Sequence, residues 1–434
     1  MIDDYLSFLR FKSISADKSF QQDCLDCAKW LENFLQKEGF HTELLQTSTN
    51  PALLAFDLSA GPSAPTLLFY QHYDVQPVDP LELWENDPFE PTITGDRVVA
   101  RGAQDNKGQC FYVLQALKDY KKTRGSFPVN VKIVIEGDEE MGSIGLKEIL
   151  SDHQEKFQAD YLLITDLGIK SVEEPAITLG TRGLITMELL VSGGHSDLHS
   201  GDRGGIVYNP LHALIEMLAK VRDSSGRITI EGFYDDVFYV KEALDLSWDE
   251  PLPAEGGEST LYSPLERAWL RPTFEINGLK GGYSGPGFKT VIPGGALAKI
   301  SCRLVPQQDP KKIFQKVHAF FNKIKPPSID IELKLLQEGS SAVRTSSSSP
   351  IALAAIEAYE KVFGKKCGKI MTGGTIGIAG PLARISNASV IFLGLGLSSD
   401  QIHAPNENFS LSRLKQGHAI ITHILDFFAS RAAL

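Results

Sequence analysis

Residues 66–77 read TLLFYQHYDVQP, an apolar run followed at once by polar side chains. The nearly continuous apolar part, residues 66–70, predicts a strand that is covered on both faces, as in a parallel sheet flanked by helices. His72 and Asp74 stand just beyond the end of that strand. Because ligands gather at the carboxyl ends of strands in open α/β sheets, this stretch predicts a fold class and the edge of the sheet where a site should lie.

Four other segments repeat this arrangement of an apolar stretch with polar side chains at its end. Residues 101–108 read RGAQDNKG and follow a β-like segment at 97–100. Residues 136–143 read EGDEEMGS and follow a predicted strand at 131–135. Asp166 follows a predicted strand at 161–164, and His403 lies in the loop after another at 388–395. We therefore expect five segments to direct His, Asp or Glu side chains at one edge of the sheet.

The residue types at these positions suit a pair of divalent metal ions. Two imidazoles and three carboxylates can hold two ions if one carboxylate bridges them. Of the adjacent Glu139 and Glu140, one can bind metal while its neighbour stays free as a general base. Asp74, two residues after His72, can accept a hydrogen bond from the other imidazole nitrogen and fix its tautomer.

Each stretch also has an interpretation that involves no metal. An H-x-D at a strand end is often a turn, the residues from Asp105 onward could form a turn with a helix cap, and Glu139 with Glu140 could be a solvated pair. Taken singly, these structural interpretations are favoured. All of them would have to hold at once, so the agreement in order and strand-end position favours the metal site.

Composition excludes several classes of protein. The chain has 434 residues, of which 42% are hydrophobic, with a formal net charge of −11 and a pI near 5.5. The acidic balance argues against a nucleic-acid partner. The acidic start at residues 1–4 predicts no signal peptide, and no apolar run approaches membrane-spanning length, which argues against a membrane partner. Five scattered cysteines favour no disulfide framework. We expect a cytoplasmic protein.

The order of predicted elements divides the chain into three parts. The first alternates helices and strands, which favours an α/β fold with a mainly parallel central sheet flanked by helices. After residue 181 the pattern becomes β-rich. Strands are predicted at 184–192, 226–232, 273–278, 296–305 and 328–336, with helices at 209–221 and 310–324, which favours an inserted α+β domain. The serine-rich residues 345–350 read as a linker. We predict a catalytic domain at 1–181 and 343–434 with an inserted domain at 182–342.

The motifs together resemble the dinuclear zinc aminoacylase and carboxypeptidase clan of metallopeptidases, most closely its carnosinase-like cytosolic nonspecific dipeptidases. The landmarks run from HYDVQP at 72–77 to HAPNE at 403–407. They include DLHSG at 197–201, KTVIP at 289–293 and RLVP at 303–306, so the resemblance covers nearly the whole chain. It implies a zinc-peptidase-like catalytic domain and an inserted domain that serves as lid and dimerisation surface.

The resemblance also implies a role for each residue of the metal centre. Asp105 would bridge the two ions, and its peptide bond to Asn106 would be cis. The remaining assignments are His72 and Asp166 on one ion, Glu140 and His403 on the other, Glu139 as general base and Asp74 as the residue that orients His72.

Residues of the inserted domain are implied in catalysis and substrate binding. His199 resembles a histidine that reaches the partner subunit's active site and stabilises the oxyanion there, so catalysis would depend on a homodimer. The alternative, a second zinc pair of His195 and His199 at helical spacing, is disfavoured by the glycines at 193, 194 and 201. Arg303 would bind the terminal carboxylate of the substrate. Alternatively, Arg303 has no binding role and is a charged side chain that points outward from a strand of the inserted domain.

Three more residues, Thr290, Gly374 and Thr375, resemble substrate contacts. Near them the chain departs from the family pattern. Where close dipeptidases read REGGSIP, this chain reads MTGGTIG at 371–377. The departures at Met371 and Gly377 leave the metal ligands intact and bear on substrate preference.

We therefore predict a metal-dependent hydrolase that cleaves the amide bond of dipeptides or short peptides with a free C-terminal carboxylate. Metal-bound hydroxide would attack the carbonyl while Glu139 shuttles the proton. The ions would be Zn²⁺, although Mn²⁺ or Co²⁺ also suit such ligands. Two alternatives stay open: an N-acyl amino acid deacylase acting on acetyl- or succinyl-amino acids, and an inactive scaffold with this fold. The intact ligand set argues against the scaffold.

Overall fold

The fold is that of a computed structural model, which describes residues 1–238, 244–245, 261–336 and 339–432. Eighteen strands lie within these residues. In chain order they are β1 His41–Leu45, β2 Ala52–Asp57, β3 Thr66–His72, β4 Thr92–Thr94, β5 Arg97–Val99, β6 Asn130–Glu136, β7 Tyr161–Thr165, β8 Ala176–Thr181, β9 Gly183–Ser192, β10 Leu198–His199, β11 Thr273–Gly281, β12 Val291–Ile292, β13 Gly295–Leu304, β14 Asp330–Leu335, β15 Val343–Arg344, β16 Gly368–Thr372, β17 Ser389–Leu393 and β18 Asn408–Ser410.

Twelve α-helices lie in the same part of the chain. They are α1 Ile2–Leu9, α2 Gln21–Lys37, α3 Lys107–Arg124, α4 Ile144–Ile149, α5 Gln154–Phe157, α6 Ser200–Arg203, α7 Pro210–Ala219, α8 Pro264–Trp269, α9 Pro310–Ile324, α10 Pro350–Phe363, α11 Ala379–Ser386 and α12 Leu411–Ala432. None of the described helices is both long enough and apolar enough to cross a bilayer.

Local sequence signals set the starts of three long helices. Asn209, Asp309 and Ser349 precede α7, α9 and α10, and each is followed by a proline. Each cap side chain accepts a backbone N–H of the first turn, which would otherwise lack a partner. Proline suits the next position because it has no N–H to satisfy and its φ is already helical.

The larger sheet has the order β1-β2-β6-β3-β7-β17-β8-β15, with β16 also paired to β8. Its neighbouring strands β6, β3, β7 and β17 run parallel, whereas β1, β2 and β6 pair antiparallel. The sheet is therefore mixed, with a parallel centre. Alternate residues of β3 enter different cores: Leu67 and Phe69 face one, and Leu68 and Tyr70 face the other. The predicted α/β class, with helices over both faces of the sheet, is confirmed.

A second sheet has the order β11-β13-β9-β14 and is antiparallel throughout. Its core combines strand and helix side chains, such as Met187 with Leu214 of α7 and Val317 of α9. Between the sheets, β8 ends at Thr181 and β9 begins at Gly183. The predicted domain limits at 181/182 and 342/343 remain a proposal, which this change of sheet supports.

The sequence also predicted a strand at 226–232, and this is wrong. Ile228 and Ile230 are buried, with 5% and 3% exposure, and pack in the core of the second sheet. The segment pairs only through an isolated bridge between Arg222 and Ile228 within the described residues. Alternate burial in the connection that follows α7 therefore produced a strand-like pattern without a strand.

The five cysteines, Cys24, Cys27, Cys110, Cys302 and Cys367, are all buried and none is in a disulfide. Burial raises the pKa of Cys24 to about 12 and that of Cys27 to about 11. Their thiols therefore remain protonated at neutral pH.

Candidate metal centre

Parallel strands bring three of the sequence-predicted segments to the same edge of the larger sheet. β3 ends at His72, β6 is followed by the 3₁₀ turn Glu139–Met141, and β7 is followed by Asp166. His403 lies in the loop between β17 and β18, and Asp105 lies two residues before α3. The carboxyl ends of the parallel strands thus form the base of the candidate site.

Six side chains form two groups at this edge, and the potential ligand atoms within each group lie within 4.8 Å of one another. The first group is His72, Glu139 and Asp166, and the second is Asp105, Glu140 and His403.

Asp105 belongs to the second group and also approaches His72 of the first. Its Oδ1 is 3.2 Å from His72 Nε2, and its Oδ2 is 2.9 Å from His403 Nε2. His72 Nε2 is also 3.5 Å from Asp166 Oδ1, and His403 Nε2 is 3.3 Å from Glu140 Oε1. One oxygen of Asp105 therefore faces each group, which is the arrangement of a bridging carboxylate.

Two buried atoms test whether these residues fit metal ions. His72 Nε2 and Glu140 Oε1 are buried and have no hydrogen-bond partner of acceptable geometry among the described residues. A buried polar atom without a hydrogen-bond partner lowers the stability of the fold, and such atoms are rare in native proteins. A divalent cation in each group would coordinate these atoms, and mixed imidazole and carboxylate ligands suit Zn²⁺, Mn²⁺ or Co²⁺. The residues therefore fit a two-metal centre.

Asp74 supports both groups from beneath. It is fully buried, and its Oδ1 lies 3.3 Å from His72 Nδ1. Its two oxygens also accept the backbone N–H groups of Glu139 at 3.2 Å and Glu140 at 3.1 Å. Ser15 Oγ donates to the same carboxylate at 2.7 Å. Asp74 therefore holds the backbone of the two glutamates. Its main-chain O, 3.1 Å from His72 Nδ1, and its Oδ1 both face the imidazole that it was predicted to orient.

Glu407 has a structural role that the sequence did not reveal, although it is the last residue of the HAPNE landmark. Its buried carboxylate ties the loop that carries Asp105 to the loop that carries His403. It accepts four hydrogen bonds of 2.8, 2.9, 2.9 and 3.0 Å, from Arg101 Nη1 and from the backbone N–H groups of Gly102, Gln104 and Asp105.

Two amide side chains hold ligand carboxylates in place. Asn106 Nδ2 donates to Asp166 Oδ1 at 2.7 Å, and Gln76 Nε2 donates to Glu140 Oε2 at 2.8 Å. The peptide bond between Asp105 and Asn106 is cis, as the family resemblance implied. Such outer contacts commonly orient metal ligands.

The packed charges shift the pKa values of the centre in opposite directions. Burial raises the pKa of Glu139 well above its ordinary value. The hydrogen bond to Asp105 and the nearby carboxylate of Glu140 raise the pKa of His403 to about 10. Burial opposes ionisation of Asp105, but the hydrogen bond with His403 and the nearby imidazole of His72 outweigh it and lower the pKa of that carboxyl. A bound cation would favour the ionised form of every carboxylate in the cluster.

His199 and Thr290 lie together on the inserted part of the chain. Thr290 Oγ1 is 3.4 Å from His199 Nε2, and the Ser200 N–H donates to Thr290 O at 3.1 Å. The His199 side chain is 61% exposed. Because His199 belongs to β10 rather than to a helix, the alternative zinc pair with His195 at helical spacing has no support. Within the described residues, His199 makes no hydrogen bond or ion pair with the two ligand groups of its own subunit.

Arg303 lies beside the predicted turn at residues 373–375. Its Nη1 donates to Thr375 Oγ1 at 2.7 Å, and Thr375 Oγ1 donates to Arg182 O at 2.6 Å. Gly374 O accepts the Arg182 N–H at 3.1 Å. Arg303 is therefore half-buried in a polar cluster rather than an isolated outward charge. Arg182 was not predicted, and in the described part of the chain no hydrogen bond or ion pair joins this cluster to the candidate ligands.

A cavity of about 760 Å³ lies beside β16, next to the same turn. Its lining includes Leu167 and Gly168, which follow Asp166, together with Trp269 and Met371. The Met371 side chain is 2% exposed. The departure from the family pattern at Met371 therefore changes the wall of a cavity near the candidate site.

An α/β sheet with two adjoining groups of imidazoles and carboxylates at its carboxyl edge defines a hydrolase of the dinuclear metal type. The sequence comparison then identifies the family. Residues 68–426 match the model of peptidase family M20/M25/M40, and the chain belongs to this family.

Individual relatives agree with this assignment. The Beta-Ala-His dipeptidase of Mus musculus is 34% identical over 387 residues, which cover 85% of this chain and 78% of the mouse protein. The Cys-Gly metallodipeptidase DUG1 of Saccharomyces cerevisiae is 28% identical over 453 residues, covering 97% and 94%. The crystal structure of the M20 family metallo-carboxypeptidase Sso-CP2 from Sulfolobus solfataricus matches with a TM-score of 0.84, 32% identity and 99% coverage of both chains. The predicted resemblance is confirmed.

Proposed function

We propose that this protein is a metal-dependent peptidase that hydrolyses the amide bond of dipeptides or short peptides next to a free C-terminal carboxylate. The observation that carries the proposal is the two groups of ligand side chains, with Asp105 close to a histidine of each. Relatives named as metallodipeptidases and as a metallo-carboxypeptidase support the reaction class.

The proposed centre holds two divalent ions, with zinc as the first choice and manganese or cobalt as alternatives. Such ions, when bound, polarise the substrate carbonyl and lower the pKa of a water molecule. The proposed ligands are Asp105 between the ions, His72 and Asp166 on one side, and Glu140 and His403 on the other.

The protein's own residues move the proton and bind the substrate in this proposal. Glu139 takes a proton from the attacking water and passes it to the leaving amine. Asp74 holds His72 and the Glu139 backbone while this happens. The Arg303 guanidinium, together with Thr375, binds the terminal carboxylate of the substrate, for which its planar fork is suited. The Gly374 backbone lies in the same turn.

The proposal includes a homodimer formed through the inserted domain at 182–342. Several large hydrophobic side chains are exposed there within one subunit, including Ile276 at 46% and Leu279 at 59% on β11, an edge strand of the second sheet, and Ile215 at 56% on α7. Burial of such side chains against a second copy would be favourable. In the dimer, His199 and Thr290 of one subunit would serve the active site of the other, where His199 stabilises the oxyanion.

The proposed compartment is the cytoplasm. The five buried cysteines form no disulfide, which suits a reducing environment.

A second candidate function is N-acyl amino acid deacylation, which uses the same metal ligands. The cavity beside β16 favours it, because Met371 and Trp269 give its wall an apolar part where an acyl group could pack. The two functions differ in what occupies the site on the amine side of the scissile bond.

A substrate panel tests the proposal. The protein, purified without chelator, is analysed for bound metal and assayed with dipeptides and with acetyl- and succinyl-amino acids after reconstitution with Zn²⁺, Mn²⁺ or Co²⁺. We expect dipeptides to give the highest kcat/KM and EDTA to abolish turnover. A higher kcat/KM on acyl-amino acids would assign the deacylase. Absence of both metal and turnover would leave only the inactive scaffold.

A further inference from the structure

We propose that Arg182 is a positioning residue that holds the turn at residues 373–375 and, through Thr375, sets the guanidinium of Arg303 for the substrate's terminal carboxylate. The inference rests on the proposed function, in which Arg303 binds that carboxylate. Arg182 itself is assigned no contact with the substrate.

Arg182 holds the turn with both its backbone and its side chain. Its N–H donates to Gly374 O at 3.1 Å, and its Nε donates to Gly373 O at 3.1 Å. In the other direction, Thr375 Oγ1 donates to Arg182 O at 2.6 Å. Three successive residues of the turn are therefore fixed to one arginine.

The Thr375 hydroxyl transmits this position to Arg303. A hydroxyl has one proton, and Thr375 gives its proton to Arg182 O. Its oxygen is then oriented to accept from Arg303 Nη1, which lies 2.7 Å away. If the turn shifted away from Arg182, Arg303 would lose a directed acceptor.

Close packing supports the same role. The guanidinium of Arg182 lies against Gly373, where an added Cβ would be 2.9 Å from Arg182 Nη2 and 2.7 Å from Ala268 O. Arg182 Nη1 also donates to Arg271 O at 3.2 Å. Glycine at 373 is therefore what allows the arginine to reach the turn.

The position of Arg182 in the chain extends the effect to the junction of the two sheets. Arg182 is the single residue between β8 and β9. Arg303 of β13 pairs with Leu184 of β9. Burial and the neighbouring Arg303 lower the pKa of Arg182 to about 10, so both side chains remain cationic at neutral pH. The junction, the turn and the carboxylate-binding arginine thus form one positively charged unit that favours an anionic substrate end.

The test compares Arg182→Gln with wild type on a dipeptide and on the same dipeptide with its C-terminal carboxylate converted to an amide. We expect kcat/KM for the free carboxylate to fall by about 10- to 100-fold, mainly through KM, because a misplaced binding group loses up to about that much. For the amide, kcat/KM should change by less than about threefold, because this substrate has no terminal carboxylate for Arg303 to bind. Arg182→Lys, which keeps the charge but lacks the Nε donor, should recover only part of the loss.

Double substitution shows whether Arg182 acts through Arg303. We expect Arg182→Gln with Arg303→Gln to lose little more than Arg303→Gln alone, because coupled residues are not additive. Arg124→Gln is the matched control. Arg124, the last residue of α3, has a 60% exposed side chain that pairs with Asp426 of α12 at 3.4 Å. The Arg124→Gln variant should have the wild-type kcat/KM on both the dipeptide and its amide. Gly373→Ala, which moves the turn while keeping Arg182, should reproduce the carboxylate-selective loss.

Specific outcomes would overturn the inference. An equal loss on the dipeptide and its amide, or additive losses in the double variant, would mean that Arg182 does not act through Arg303. Unchanged KM in a folded Arg182→Gln protein would also rule out the role while leaving the proposed peptidase intact. If wild type cleaves neither peptide, the proposed function fails first, and the inference falls with it.

Discussion

The adjacent glutamates at 139 and 140 have different surroundings, although both follow the same strand. The Glu140 carboxylate contacts Gln76 at 2.8 Å and lies 3.3 Å from His403 Nε2, so it belongs to the second ligand group. Glu139 falls in the first group, beside His72 and Asp166. The sequence could indicate that one of these two acids binds metal and the other acts as the base, because both follow a strand. Which residue has which role depends on the side chains that surround each one.

Replacement of Glu139 by alanine should separate catalysis from metal binding. We expect kcat to fall at least about 100-fold, because the proton would lose its carrier. Metal content and thermal stability should stay close to wild type, since all five proposed ligands remain. Stopped-time product assays and elemental analysis check this. The control is Glu90→Ala, an acid with a 68% exposed side chain paired to Arg10. Substantial turnover in the Glu139 variant would remove it as the base.

Glu407→Gln should lower both the stability of the fold and the affinity for metal, although Glu407 is not a proposed ligand. The amide has one acceptor oxygen, so its NH₂ group would face backbone N–H donors, and the buried Arg101 would lose its counter-charge. We expect the free energy of unfolding to fall by about 3–5 kcal/mol. Metal affinity should fall about 10- to 100-fold, the usual effect of losing an outer support. Urea unfolding and competition with a chelating dye measure the two effects.

Glu90→Gln serves as the matched control for Glu407→Gln and should change neither quantity measurably. Unaltered metal affinity in a folded Glu407 variant would show that the two loops hold their ligands without this carboxylate. No sequence pattern could have shown the role of Glu407, because its partners lie more than 300 residues earlier in the chain.

At the scale of elements, the start of α3 determines where Asp105 lies. A Cβ on Gly108 would be 2.1 Å from Ala103 O and 3.0 Å from Tyr5 Oη. Tyr5 already donates to Ala103 O at 2.6 Å. The first turn of the helix therefore packs directly on the loop that carries the central carboxylate.

Gly108→Ala should disturb this packing. Because the nearest atom belongs to backbone, the loop at 101–105 has to move, and we expect a loss of about 1–3 kcal/mol in the free energy of unfolding together with reduced turnover. Gly278→Ala on β11 is the control, since a Cβ there would meet nothing closer than 3.8 Å. The free energy of unfolding of the Gly278→Ala variant should stay within about 0.5 kcal/mol of the wild-type value. Equal stability of the two variants in urea would contradict the proposed contact.

Elements with local signals could be predicted from sequence, and those defined by distant pairing could not. The prediction of a helix at 310–324 coincides with α9, because Asp309 caps it and Pro310 starts it. β16 was missed, since it is a five-residue strand whose partner β8 lies about 190 residues earlier. α8 has a capping box at Ser263 and Glu266, but its six residues are too few to show helical periodicity.

For the whole molecule, the alternation of helix and strand patterns predicted the α/β class correctly. The parallel centre of the larger sheet follows from that alternation, because parallel neighbours need crossover connections. The antiparallel strands at its margins, such as β1 and β2, were not predicted. The convergence of five segments on one edge could be inferred, whereas the relation of the His199 and Arg303 clusters to that edge depends on how the second sheet is placed.

Mixed dimers test the proposed sharing of active sites. His199→Ala and Glu139→Ala proteins should each be nearly inactive alone. After subunit exchange we expect about a quarter of wild-type activity, because about half of the dimers are mixed and each mixed dimer has one site with both groups. Tagged subunits and pull-down confirm exchange. If exchange is complete and activity does not recover, His199 does not act across the interface.

The buried cysteines make the chain a convenient starting point for fluorescence work. With every native thiol shielded and protonated, maleimide dyes should find no attachment point on the folded protein. New cysteines at Arg124 on α3 and Lys323 on α9, whose side chains are 60% and 75% exposed, would place a donor and an acceptor on the two sheets' outer helices. Energy transfer between them would then follow the relative movement of those helices during turnover, without the prior removal of a single natural cysteine.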